Sequence, residues 1–220
     1  MRVRLLFFVG IIMIGWQGTA QADSLSTKYR EDQFYISIAL QLLHENIRGF
    51  KQNGFSNNFQ VGLVRDIPLN SKGTVAMGLG LGYAYNRLFS NLRLQTETNY
   101  SSFSVQENEK NLQTYSSLVV PLSFRYRTST PDRTDFWRIY GGIKYKLNFS
   151  AKFRSSDVEA IKYDFIRKNN AAIFLSMGYN TWNLFFEYDL NSIYTTRAQL
   201  PSGANIDLHS YQLGLIFYIL

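Results

Sequence analysis

The sequence predicts an all-β chain: an eight-stranded, antiparallel, up-and-down transmembrane β-barrel with a filled polar lumen. Three observations lead there. Eight segments alternate apolar and other residues with a period of two, the pattern of a strand with one apolar side. The opposite faces carry arginine and lysine, which would be out of place in a sandwich core but suit a barrel lumen. Long and short connections alternate along the chain, the asymmetry of outer-membrane barrels.

The first 22 residues read as a secretory leader. Arg2 and Arg4 give a positive start, Leu5–Gly15 an apolar stretch, and Ala20-Gln21-Ala22 an A-x-A cleavage site. A membrane-spanning helix needs about 20 apolar residues, and this run stops at Trp16-Gln17. Residues 23–33 then form a short N-terminal segment, and 34–220 the barrel.

The strands follow in order. The first, Phe34–Leu43, puts Phe34, Ile36, Ile38, Leu40 and Leu42 on one face. The second, Asn58–Asp66, sets Phe59, Val61, Leu63 and Arg65 against Gln60, Gly62 and Val64. The third, Thr74–Asn86, alternates Val75, Met77, Leu79, Leu81, Tyr83 and Tyr85 with Ala76, Gly78, Gly80, Gly82, Ala84 and Asn86. Its glycines leave room for bulky neighbours in the lumen. The fourth, Tyr115–Arg127, turns Leu118, Val120, Leu122, Phe124 and Tyr126 one way and Ser117, Val119, Pro121, Ser123, Arg125 and Arg127 the other. The fifth, Phe136–Phe149, opposes Trp137, Ile139, Ile143, Tyr145, Leu147 and Phe149 to Arg138, Tyr140, Lys144, Lys146 and Asn148. The sixth is Ala171–Tyr179. The seventh, Leu184–Leu190, alternates Leu184, Phe186, Tyr188 and Leu190 with Phe185, Glu187 and Asp189. The eighth is Leu208–Leu220. Strands of about ten residues suit a tilted crossing of a bilayer. Closure pairs every backbone polar group, as hydrocarbon requires.

Short turns fall at Pro68–Gly73, Pro131-Asp132 and Asn180–Asn183, with the turn-forming residues expected there. An even strand count places both termini on the short-turn side, the periplasm. Trp137 and Trp182 fall at that end, where an aromatic girdle belongs. Tyr85, Tyr115 and Tyr211 fall near the opposite rim. The C-terminus carries Gln212-x-Gly214-x-x-Phe217-x-Ile219. This is similar to the final-strand signal read by the barrel-assembly machinery, polar-x-Gly-x-x-hydrophobic-x-hydrophobic.

Composition limits function. Aromatics at 16% exclude a disordered chain. The absence of cysteine excludes disulfides, thiolate metal sites, a cysteine nucleophile and a lipidated N-terminal cysteine. The formal charge of +7 is spread along the chain without a concentrated basic stripe. With an export signal in front, a nucleic-acid partner is not expected. The sequence shows no EF-hand spacing, zinc-ligand pattern or phosphate-binding loop. No cofactor or metal is expected.

The predicted lumen gathers Arg125, Arg127, Arg138, Lys144, Lys146, Glu187 and Asp189. These could line a path for anions or form an internal ion-paired plug. An eight-stranded bore is just wide enough for its own side chains, which favours the plug. The excess cations then belong near a rim. The two histidines, His44 and His209, sit at the outer ends of the first and last strands, with Asp207 and Ser210 beside His209. Lipid-modifying barrels use such residue types, but nothing in the sequence supplies the nucleophile–base geometry, and no enzyme is expected. The 87–114 loop is rich in Asn, Ser, Thr and Gln, and 150–170 mixes charges. Either could recognise a partner or be plain solvated surface. A soluble lipocalin-type barrel would invert the faces, putting the charged side in water.

Several stretches resemble the PorT-like family of outer-membrane β-barrels: Lys28–Tyr35 (KYREDQFY), Val64–Asn70 (VRDIPLN), Gly78–Tyr83 (GLGLGY), Arg127–Thr130 with Phe136–Tyr140, and Leu213–Leu220 (LGLIFYIL). The resemblance implies a role in type IX protein secretion and, in gliding bacteria, in motility. It brings no catalytic residues. A plugged barrel of this size cannot pass folded cargo, so the implied role is accessory to a larger translocon. The expected partners are membrane lipid, the assembly machinery during biogenesis, and secretion-system proteins. The alternative is a structural or small-solute barrel without a secretion role.

Overall fold

Period-two alternation produces strands, and pairing closes them. The computed structural model describes residues 32–44, 47–96, 101–128, 136–157 and 159–219. The expected leader, residues 23–31, the expected Pro131-Asp132 turn and Leu220 lie outside the described residues. Eleven strands are described: β1 Gln33–His44, β2 Asn57–Pro68, β3 Val75–Ser90, β4 Leu92–Thr96, β5 Ser101–Val105, β6 Asn111–Arg127, β7 Trp137–Arg154, β8 Ile161–Lys162, β9 Asn169–Tyr179, β10 Trp182–Asp189 and β11 His209–Ile219.

Eight of them form the barrel in the order β1-β2-β3-β6-β7-β9-β10-β11, each antiparallel to the next. The seam closes where β1 meets β11, from Phe34 opposite Ile219 to His44 opposite His209. This is the predicted architecture. Gly214 stands opposite Ala39 in that seam, and a Cβ there would run into the β1 backbone. Gly82 faces Tyr35, whose hydroxyl occupies the space a larger residue would need.

The outward faces are largely apolar and open, with Arg65 of β2 outward opposite Leu79. Leu79, Leu81, Ile143, Leu175, Leu184 and Leu213 are at least half exposed. The inward faces are buried and largely polar, with Gln41, Gln60, Ser117, Arg127 and Glu187 fully enclosed. That inversion of a water-soluble protein fits strands that meet hydrocarbon outside.

The short-turn rim is built by local chemistry. Asn70 Oδ1 accepts from Val75 N at 3.2 Å, and Gly73 takes a positive φ of 69°. The β9–β10 turn is the pair Asn180-Thr181, with Asn180 at φ 54°. Asparagine tolerates that left-handed conformation in tight hairpins. Trp137 and Trp182 project outward at this rim, edge-on to Tyr179 at 5.5 Å and Phe217 at 4.8 Å.

One sequence expectation needs correction, and one left open is narrowed. Strands β3, β6, β7 and β9 extend past the expected ends Asn86, Tyr115, Phe149 and Ala171. Apolar alternation tracks the lipid-facing band, whereas hydrogen-bond pairing continues beyond it. A bulge at the Thr114/Ser116 step, opposite Ser150 at φ 56°, further hides the continuation of β7. The long loops are also not plain solvated surface. Strands β4 and β5 pair as a hairpin inside the 87–114 connection, and β8 lies inside 150–170. Their apolar residues form a separate core, described below.

Candidate functional site

The site that could act is the bore and its mouth. Alternation brings all seven predicted lumenal charges inside. Arg125, Arg127, Arg138, Lys144, Lys146, Glu187 and Asp189 are all buried. They form two groups. Midway up the bore, Glu187 Oε2 accepts from Lys144 Nζ at 2.6 Å, and Oε1 from Lys146 Nζ at 2.9 Å. Lys146 also pairs with Asp189, and Lys144 donates to Gln60 Oε1 at 3.0 Å. Nearer the short-turn rim, Asp66 takes Arg125 Nη1 at 2.8 Å and Arg127 Nη2 at 2.7 Å. Arg125 also donates to Gln33 and lies over the Tyr140 ring at 4.2 Å.

Asp66 is the residue sequence reasoning missed. It follows Gln60, Gly62 and Val64 in the inward register of β2, so the period-two rule pointed at it. The adjacent outward Arg65 and the following Ile67-Pro68 obscured the signal. Arg138 is the cation outside both groups. It is buried beside the short-turn rim, stacked on Phe136 at 4.4 Å, and its Nε and Nη1 have no partner among the described residues.

Above the ion pairs lies a neutral layer. Asn58, Asn86, Ser117 and Asn148 form a chain: Asn58 Nδ2 donates to Asn86 Oδ1 at 2.7 Å, and Ser117 Oγ to Asn148 Oδ1 at 2.6 Å. Gln41 Nε2 donates to Ser210 Oγ at 2.9 Å. Below it, a cavity of about 20 Å³ lies between Tyr35, Ser123, Arg125, Tyr140, Lys144 and Tyr218. That is enough for a single ordered water. The bore is therefore filled by its own side chains.

The mouth is closed by the loops. Phe50, Leu88, Leu92, Phe103, Phe153, Ile166, Ile193, Tyr194, Ile206 and Leu208 form one buried apolar cluster. Phe103, from the β4–β5 hairpin, is central, with Phe165 and Tyr194 both 5.5 Å away edge-on. Tyr163 donates to Gln113 Oε1 at 3.0 Å, and Tyr194 donates to the same oxygen. Burial pushes both phenols well above their ordinary pKa. Tyr115, expected near this rim, turns inward and joins the cluster, while Tyr85 and Tyr211 face outward.

The histidines meet, but without a nucleophile. His44 and His209 are cross-strand partners at the seam. His209 stacks on Tyr188, its Nδ1 lies 3.0 Å from the Asp189 carbonyl, and its Nε2 lies 3.4 Å from Asp207. Ser210 is on the other face of the strand, inside the bore. Adjacent residues on a strand point to opposite faces, so this serine and histidine cannot act as a pair. Among the described residues, His, Asp and Glu form no cluster able to hold a metal.

Of the C-terminal signal residues, Gln212 is buried in the bore. Phe217 lies outside against Trp182, and Ile219 is exposed.

The model for the outer membrane protein beta-barrel domain matches residues 19–194. The chain belongs to that family. Its barrel is an outer-membrane barrel, located in that membrane. No curated protein matches the chain. Among solved structures it is similar to Ail, the attachment invasion locus protein of Yersinia pestis, solved in complex with the heparin analogue sucrose octasulfate. That similarity has a TM-score of 0.42 and 13% identity, over 86% of this chain and 99% of that one.

Proposed function

We propose that this outer-membrane barrel is a non-enzymatic, non-conducting accessory of protein secretion, of the type IX kind. One observation carries the reading: the bore is filled by ion-paired side chains and its mouth is covered by an apolar cap. A barrel closed in this way works through its surfaces, as a scaffold beside a larger translocon. The PorT-like stretches supply the secretion context. In this reading the short-turn rim and both termini face the periplasm, and the loops face outward. The short turns and residues 23–33 are the contact surface for secretion-system proteins. Gln212, Gly214, Phe217 and Ile219 present the final strand to the assembly machinery.

A clean deletion in the native host tests it, followed by comparison of the medium and cell-surface proteomes. Loss of proteins with type IX sorting domains, with their accumulation in the periplasm, is the expected result. An unchanged secretome would remove the secretion role and leave a structural or small-solute barrel.

A further inference from the structure

The outward face of the barrel changes character along one line. On β3 the outward residues run Leu79, Leu81, Tyr83, Tyr85 and then Arg87. On β7 they run Tyr145, Leu147, Phe149 and then, past Ser150, Lys152 and Arg154. Strand register sets these cations in a row. Arg87 is opposite Thr114, Thr114 is opposite Lys152, and Lys152 is opposite Lys162. One step further from the membrane, Lys110 lies 4.9 Å over the Phe89 ring, and the Arg87 guanidinium lies 5.5 Å from the same ring.

Among the described residues, none of Arg87, Lys110, Lys152, Arg154 and Lys162 forms an ion pair. Asp157, in the neighbouring loop, pairs with Arg93, and Glu159 is exposed and pairs with none of the five. Lysines directly opposite on paired strands sit about 5 Å apart at Cα and repel. Such a row calls for an anion from outside the chain.

Its height says which anion. From Val75 to Tyr85, β3 climbs about 33 Å, or about 25 Å along the membrane normal at a tilt near 40°. That is the height of the apolar band of an outer-membrane barrel. Arg87 and Lys152 therefore stand at headgroup level, directly above the rings that meet acyl chains. Tyr83 and Phe149 lie 6.4 Å apart just below.

We propose that this row docks a phosphorylated glycolipid of the outer leaflet. Arg87, Lys152 and Lys162 take its phosphates, and Tyr83, Tyr85 and Phe149 its chains. A phosphopeptide would not use the continuity of the cations with the lipid-facing band. The inference rests on the loops facing outward, as in the proposed function.

The test uses the mature chain refolded in phosphatidylcholine nanodiscs. These are supplemented with diphosphoryl lipid A, with its dephosphorylated form, or with inorganic phosphate. The temperature at which the compact gel form disappears is the readout. Diphosphoryl lipid A is expected to raise it by several degrees, and the other two additions to leave it unchanged. In K152Q/K162Q the rise is lost while the phosphatidylcholine midpoint stays. K152R/K162R keeps the rise. No rise in the wild type, or an equal rise in K152Q/K162Q, would overturn the proposal. A rise with inorganic phosphate alone would show an ion site and overturn the lipid assignment. Protease shaving of intact cells reports separately on orientation. Loops protected from the outside would sink the outward reading, whatever the nanodiscs show.

Discussion

The bore and the cap are two cores of one chain built on opposite rules. The bore buries Arg125, Lys144, Lys146 and Glu187 and exposes leucines. The cap buries Phe103, Phe153 and Ile193 and exposes charges such as Lys152 and Arg154. The same strands pass through both. On β3 the inward residues change from Asn86 to Leu88 while the outward ones change from Tyr85 to Arg87. On β7 the inward change is from Asn148 to Ala151 and Phe153, across the Ser150 bulge. Strand geometry is constant across that line; the surroundings are not. Where hydrocarbon lies outside, polar groups collect within, and most find a partner because unpaired burial is costly, Arg138 at the rim being the exception among the bore cations. Where water lies outside, apolar burial takes over.

The two cores should respond differently to damage. The largest effect belongs to Glu187, which holds two buried ammoniums. Glu187→Ala leaves Lys144 without a carboxylate and is expected to destabilise by about 3–5 kcal/mol. Urea unfolding in detergent, read by loss of the compact gel form, measures it. Replacing Glu187, Asp189, Lys144 and Lys146 together by apolar residues should cost much less, because the whole ion-paired group goes and no charge is stranded. Equal losses in the single and quadruple variants would contradict the ion-pair reading.

Phe103→Ala acts on the other core. A cost of about 3–5 kcal/mol is expected for so large a buried ring. It falls on the cap, so limited proteolysis of the loops should accelerate while the compact gel form persists. Loss of the barrel itself would show that cap and bore fold as one unit.

Leu122→Arg places a charge on the lipid face, one strand beyond the Leu79 that faces the outward Arg65, and should cost about 2–4 kcal/mol. Ser123→Arg lies on the inward face beside the small cavity, so crowding governs it. Gel heat-modifiability separates the two. Identical responses would mean that the register is wrong.

The smallest effect is titration of the cap. Tyr163 and Tyr194 have raised phenol pKa values in the fold, so they contribute stability that is complete below the ordinary value of 10.0 and lost as pH rises above it. Loop proteolysis should therefore quicken above pH 10 before the barrel changes. Unaltered cleavage up to pH 12 would argue against buried phenols at Gln113.

The bore was legible in the sequence because alternation writes its faces directly. Arg125, Arg127, Arg138, Lys144, Lys146, Glu187 and Asp189 each sit one step from an apolar neighbour, and period two sends them all inward. Asp66 obeyed the same rule but stood beside Arg65 at a strand end, where the contrast between faces disappears. The cap was not legible. Its core draws single residues from distant loops, such as Phe50, Phe103, Ile166 and Ile206, and no local period links them. The strand ends were missed for a related reason. Above Tyr85 and Phe149 the apolar side of the strand switches faces, so a pattern read as one continuous stripe stops there.

The claim that the bore is a core, not a passage, is tested most directly by planar-bilayer conductance of refolded residues 23–220. A flat baseline under voltage at high salt is expected. Stable, ohmic current steps that scale with salt concentration would show an open lumen and contradict it.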